Sequence, residues 1–337
     1  MSEIKNTTSN LINNKITNDQ LKNAISAVKN STTNDTDTSS SSLYLYGAMA
    51  QLPLINLIRG QCIQEDVDNL PTIMSNWEKA TKLFHTIESQ DLGIAGSNPT
   101  MDIDGSYPKL AEISNSTLFK NTFLNSPIEF KLIDIDRLIA PQRHVSLNYV
   151  QQLEKIIPNN PSMDDLIDIC ISPIQNVFPV KTLQQAQNMC VFSSPSNDFR
   201  FLGGFIKNEL TDDDLRYCLE GGNPVSAIIL FVGYGGGSVN VYQVNNRLIL
   251  NNGFHRVYAL RKKGITKIPV VIQKIGNPEF EFPPQILGLT SNYLLNHPRP
   301  VMVKDFFVKD LTTVLRMKKT VRTVQIQWGT NQLNMAV

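Results

Sequence analysis

Apolar and polar positions change rhythm several times along this chain, and residues 239–272 carry the fullest pattern. Two short apolar runs, Val239–Val244 and Leu248–Leu250, flank Asn245-Asn246. Such runs around two asparagines predict a tight β-hairpin, because asparagine tolerates the positive backbone angles of the turn. The second run leads to Gly253. From Phe254 to Gly264 the rhythm becomes helical: Val257, Leu260 and Lys263 fall on one stripe, with Tyr258 and Ala259 beside it. Gly264 stands where a left-handed residue ends a helix. A second apolar strand is predicted from Ile268, with Pro269 at its start, where a missing N–H is tolerated.

The remaining pattern divides the chain into four regions. Residues 1–42 are rich in Asn, Ser and Thr and end in Thr38-Ser39-Ser40-Ser41-Ser42. That composition supports no core and predicts disorder, with at most a transient helix over Leu21–Val28. Residues 43–125 read as helical. Leu43–Ile58 is apolar, but Gly47, Gln51, Pro53 and Asn56 interrupt it, so it predicts a buried helix rather than a membrane span. Ser75-Asn76-Trp77-Glu78 offers capping chemistry, and Trp77, Ala80, Phe84 and Ile87 form one apolar stripe. Residues 126–275 mix strand and helix signals. Residues 276–337 open on a connector from Pro278 to Pro284, continue with a helix or two, and end in an alternation at Val321, Val324, Ile326 and Trp328 that predicts an edge strand.

The candidate chemistry sits at the strand–glycine–helix junction. His255 and Arg256 occupy the first helical turn after Gly253. Free N–H groups and a partial positive charge make that turn attractive to anions. A guanidinium and an imidazole added there make a phosphate site. The competing reading is structural: Arg256 as a surface arginine on a helix start, His255 as a capping or core-edge residue.

Gly253-Phe254-His255-Arg256, followed by Ala259-Leu260, Gly264-Ile265 and Ile268-Pro269-Val270, resembles the ParB/sulfiredoxin-like superfamily. There a strand ends in Gly-Glu-Arg-Arg (ParB) or Gly-Cys-His-Arg (sulfiredoxin), followed by a helix and an apolar strand containing Pro-Val. Phe130–Ala140, with Pro141 and Arg143, resembles the opening strand of that family, and Leu147–Ile157 the helix after it. Asn223-Pro224-Val225 and Ile228–Val232 resemble its next strand. The resemblance covers about 131–160 and 222–275, with an insertion at about 160–222. It implies an α/β (α+β) fold: a small mixed sheet with helices, in a domain over 126–275. A helical region at 43–125 precedes it, and a C-terminal extension at 276–337 packs on the core.

The departures from the family shape the functional expectation. Sulfiredoxin chemistry needs the cysteine, and Phe254 replaces it. The acidic residue and first arginine of ParB are replaced by Phe254 and His255. Gly253 and Arg256 survive from both patterns, and His255 matches sulfiredoxin. The resemblance thus implies binding of phosphate or a nucleotide, such as CTP or ATP with magnesium, at Gly253, Phe254, His255 and Arg256. Arg143, Asp134 and Asp136 stand as supporting candidates; the two aspartates lie two apart on a strand and share a face. The implied role is a nucleotide-dependent switch or DNA-associated factor. An enzyme of the same superfamily (nucleotide hydrolase, kinase or nuclease) and an interaction protein without a ligand remain alternatives.

Composition adds limits. At 337 residues, with 41% hydrophobic and 18% charged positions, the chain can bury a sizeable core. Its net charge of +1 supplies no global field for nucleic acid, although DNA stays open as a partner. The four cysteines and four histidines lack metal-ligand spacing, so no metal site is predicted. Unpaired cysteines and the absence of an apolar leader suggest a cytoplasmic protein without a membrane span. The glycine-rich Gly233–Ser238 lacks a P-loop ending and predicts a flexible hairpin tip, with a lid over the site as its functional reading. Thr211-Asp212-Asp213-Asp214 predicts a helix cap rather than a cation cluster. Arg316, Lys318, Lys319 and Arg322 predict a solvated strand face.

Overall fold

The computed structural model describes residues 39–96, 99–123, 126–172, 179–186, 188–196, 198–218, 222–277, 285–286 and 289–330. In chain order the elements are β1 (Ser39–Tyr44), α1 (Gln51–Gln61), α2 (Gln64–Asp68), α3 (Leu70–Gln90), α4 (Pro108–Asn115), α5 (Thr117–Thr122), β2 (Ile128–Asp134), β3 (His144–Ser146), α6 (Leu147–Ile156) and α7 (Met163–Cys170). There follow β4 (Lys181–Ala186), β5 (Met189–Ser194), β6 (Phe199–Lys207), α8 (Asp212–Leu215), β7 (Ala227–Tyr234), β8 (Asn240–Val244), β9 (Arg247–Asn252), α9 (Phe254–Lys262) and β10 (Lys267–Lys274). The last are β11 (Gln285–Ile286), β12 (Leu289–Thr290), α10 (Ser291–Asn296), β13 (Thr313–Lys318) and β14 (Arg322–Gln327). The protein is a mixed α/β structure with several small sheets. None of its described helices is long and apolar enough to cross a membrane.

The larger of two compact units comprises residues 37–175 and 236–319. Its main sheet has the order β2-β10-β8-β9, with β10 and β8 parallel and the other pairs antiparallel. Ile268–Ile272 are all buried, as a continuous apolar strand covered on both faces requires. Pro269 fits inside this strand because its position needs no N–H. Its β2 partner Leu132 spends both backbone groups on Met101, and the pairing with β8 starts only at Val271. The β8–β9 hairpin turns at Asn245-Asn246, with Asn245 at φ 53°.

Helices α6, α7 and α9 bury their apolar faces in the same core as this sheet, around Val150, Ile167, Val257 and Val270. Each has a legible start or stop. Ser162 and Asp165 form a capping box before α7. After α9, Gly264 N–H donates to Arg261 O and Ile265 N–H to Leu260 O, with Gly264 at φ 84°. This is the Schellman pattern.

A second sheet of this unit, β13-β1-β3, overturns the expectation for residues 39–42. They are not a disordered tail end but two thirds of the central strand β1, paired with β13 on one side and β3 on the other. Residues 1–38, with the proposed helix at 21–28, lie outside the described residues. The apolar segment 43–58 is likewise not one helix. It begins in β1, and α1 starts only at Gln51 and buries Leu54 and Ile58. Ser75 caps nothing, since α3 already starts at Leu70 with Pro71 in its first turn. The stripe itself is core: Ala80 and Phe84 are buried, with Trp77 and Ile87 partly so. Arg316 on β13 is no idle solvated cation, because it binds Asp66 through Nε and Nη2 and also meets Glu65.

The smaller unit is formed within residues 176–235 and 320–337. It contains the sheet β14-β5-β4 and the two-stranded ribbon β6-β7. This corrects the placement of residues 226–232: they pair with β6, not with the sheet that holds 268–272. The strand beside β10 is β8. Alternation could not separate the two, because both segments are apolar and both precede the glycine junction. The expected edge strand at the C-terminal end exists as β14, paired with β5. The acidic triplet caps α8: Thr211 N–H and Oγ1 donate to Asp214, which also pairs with Lys207.

Candidate functional site

The junction begins with the side chains of β9. Asn251 Nδ2 donates to Asn240 Oδ1 at 2.6 Å, and Asn240 Nδ2 donates to Val271 O at 3.2 Å. Asn252 bridges forward and outward: its Oδ1 accepts from Gly253 N–H at 2.8 Å, and its Nδ2 donates to Gly236 O at 2.8 Å. The glycine-rich segment is therefore no hairpin tip. It links β7 to β8, and its Gly236 is tied to the residue preceding the junction.

Gly253 adopts φ 95°, a left-handed conformation that side chains rarely take. A Cβ there would lie 2.8 Å from Val239 Cγ2 and 3.1 Å from Val239 Cα. The glycine lets β9 turn directly into α9. The N–H groups of Phe254, His255 and Arg256 are the first of that helix and have no intrahelical acceptor. Val257 N–H is the first to bond back, to Gly253 O at 2.9 Å.

The side chains of the first turn go to different places. Phe254 packs against the main core. His255 stands edge-on to Tyr149 of α6, with ring centroids 5.2 Å apart. Burial, with His144 and Arg256 nearby, pushes its pKa down to about 4, so the imidazole is neutral at neutral pH. His144 is stacked on Tyr44 with centroids 5.0 Å apart, and burial lowers its pKa as well.

Arg256 is not at an exposed helix start; only 5% of it reaches solvent. Its Nη1 donates to Ile169 O at 3.0 Å. The neighbouring carbonyls are also held: Val239 N–H donates to Cys170 O at 2.5 Å, and Ser238 Oγ donates to Ile171 O at 2.7 Å. Together these groups satisfy the last carbonyls of α7, where a cation is favoured by the helix dipole. The Cys170 thiol beneath them is pushed up to about 12 by burial, against the opposing pull of Arg256.

The three supporting candidates lie elsewhere in the unit. Asp134 caps the turn after β2, accepting from Asp136 N–H at 2.9 Å. Asp136 is engaged by Arg261, at the far end of α9 from Gly253. Arg143 stands near Tyr293 and Glu88, and burial lowers its pKa. The structure thus brings His144, Tyr149 and the asparagines of β8 and β9 to the junction, and takes Asp134, Asp136 and Arg143 from it. Nothing in the local sequence marks these newcomers, because each comes from an element whose own pattern reports only strand or helix.

The resulting arrangement places the first-turn backbone N–H groups of α9 beside a neutral imidazole. Such groups suit an anion held by hydrogen bonds. Among the described residues no group of three or more His, Cys, Asp or Glu is placed to hold a metal ion.

Comparison of the chain with family models, with curated proteins and with solved structures returns no match.

Proposed function

We propose that this protein is a ParB/sulfiredoxin-like binder of phosphate, most naturally the phosphate chain of a nucleotide, at the start of α9. The observation that carries the reading is Gly253: a left-handed glycine that turns a strand directly into a helix, whose first-turn N–H groups precede the first intrahelical bond, from Val257 N–H to Gly253 O. The sequential order β2, α6, β8–β9 hairpin, Gly253, α9 and β10 also agrees with the resemblance, with β8 in the role first given to 226–232. His255 serves as a neutral donor beside the N–H groups. Arg256 supports the site from below, by fixing α7 against the junction, rather than by gripping the ligand from solvent. Phe254 in place of a cysteine or acid argues for binding rather than the chemistry of sulfiredoxin.

Isothermal titration of the protein with CTP, ATP and inorganic phosphate, each with and without magnesium, tests this. Binding is expected, and His255→Ala is expected to weaken it by about tenfold, one hydrogen bond to a charged group. A folded wild type that binds none of the three overturns the reading in favour of an interaction protein. Turnover of the nucleotide during the titration would move it to the enzyme class, and DNA binding that depends on nucleotide would identify the switch.

A further inference from the structure

Among the described residues, the β6–β7 ribbon of the smaller unit carries exposed apolar side chains on both faces over 201–206 and 228–231. Cross-strand register places Phe201, Ile206, Ile228 and Leu230 on one face. Phe205 and Phe231 share the other, with ring centroids 6.1 Å apart. Leu202 joins that second face at the register shift, beside Gly233. These seven side chains are between 40% and 70% exposed. With large side chains offering on the order of 200 Å² each, the two faces together show roughly 750 Å² of apolar surface.

The edge is as unusual as the faces. β7 reads Ala-Ile-Ile-Leu-Phe-Val-Gly-Tyr, eight residues without a charge or a proline. Among the described residues it pairs only with β6. Strand edges are normally guarded by lysine, proline or a covering element. A two-stranded ribbon alone is also marginal in water.

We propose that β7 is a self-association edge: two copies of this chain pair β7 to β7, antiparallel, about a two-fold axis at Leu230. The strand is self-complementary in that register. Leu230 meets Leu230, Ile228 meets Val232, and Ile229 meets Phe231, so each apolar side chain gains an apolar neighbour on its own face. The pairing joins two marginal ribbons into a four-stranded sheet. An uncharged strand selects no partner of opposite charge, and a chain of net charge +1 does not repel its own copy. Glu209, Asp212, Asp213 and Asp214, in the connection between β6 and β7, disfavour an anionic lipid surface as the occupant.

Sedimentation velocity of the full chain over a concentration series tests the proposal. A concentration-dependent dimer is expected. Leu230→Lys, which sets two like charges on the axis, is expected to weaken association roughly tenfold or more. Leu118→Lys, at a more exposed apolar position on α5, is expected to leave it unchanged. Circular dichroism monitors folding of each variant. Should Leu230→Lys fail to fold, Leu230→Cys with Cys218→Ser provides the second arm: mild oxidation is expected to trap a dimer, because residue 230 then faces its own copy. A wild type that stays monomeric throughout overturns the proposal, as does a folded Leu230→Lys protein that still dimerises. Monomers that float with phosphatidylcholine vesicles would overturn it in favour of a lipid surface.

Discussion

Arg261 and Asp136 hold each other through two parallel hydrogen bonds, Nε to Oδ1 at 2.7 Å and Nη2 to Oδ2 at 2.9 Å. The same guanidinium lies over the Phe307 ring, 5.3 Å from its centroid. The pair ties the last turn of α9 to the turn after β2. Both side chains are partly open to solvent, so the fork contributes only about 1 kcal/mol. Asp136→Asn is expected to lower the unfolding free energy by that amount. A double-mutant cycle with Arg261→Ala checks it: additive effects would mean that the two residues do not act together.

Gly253 and Gly264 both have positive φ, but their surroundings differ. A Cβ at Gly253 meets Val239, whereas nothing stands within 4 Å of a Cβ at Gly264. Gly264→Ala is therefore expected to lose about 1 kcal/mol, the conformational term alone. Gly253→Ala is expected to lose more, about 2–4 kcal/mol, since strain and a clash add. Urea unfolding of the two variants side by side tests the order. Equal losses would show that Val239 moves aside without resistance.

His255 makes stability depend on pH in a defined window. Its pKa is about 4 in the folded protein, against an ordinary value of 6.5. Between those values the unfolded chain binds the proton and the folded one does not. The contribution is complete above pH 6.5 and is lost as the pH falls toward 4, by up to about 3 kcal/mol. Chemical denaturation at pH 7 and pH 4.5 should show the drop, and His255→Gln should reduce it. Part of the slope is expected to remain through His144, whose pKa is also lowered. An unchanged slope in His255→Gln would assign the effect elsewhere.

Deleting the chain through Ser42 removes four residues of the central strand β1. β13 then loses four of its six pairings with β1, and β3 loses the one between Ser146 and Ser42. The thermal midpoint is expected to fall by about 5–10 °C, a few kcal/mol for a chain of this size. Differential scanning calorimetry of the truncated protein would contradict the role of β1 if the midpoint stayed in place.

The stretch from Val239 to Ile272 was legible because its signals are local. Asn-Asn turns a hairpin, a glycine flanks each end of α9, and the buried stretch Ile268–Ile272 of β10 is apolar throughout. What stayed hidden depends on partners far along the chain. Ser39–Ser42 look like low complexity until β13, more than 270 residues later, supplies their ladder. Arg256 reads as a surface cation because its acceptor, Ile169 O, lies 87 residues upstream. Asp136 reads as a candidate acid until Arg261, 125 residues downstream, claims it. The apolar run at 226–232 carried no mark of which sheet it would join.

The pairing of β5 with β14 sets a schedule for the nascent chain. Residues 189–194 emerge from the ribosome long before residues 322–327, their ladder partners. At about 5–20 residues per second, the wait is on the order of ten seconds. For that interval the β4–β5 hairpin has one edge open, in the same unit as the apolar β6–β7 ribbon. Chaperone demand should therefore peak late in synthesis. A ribosome stalled before residue 322 is expected to hold a chain more prone to aggregate than the released protein.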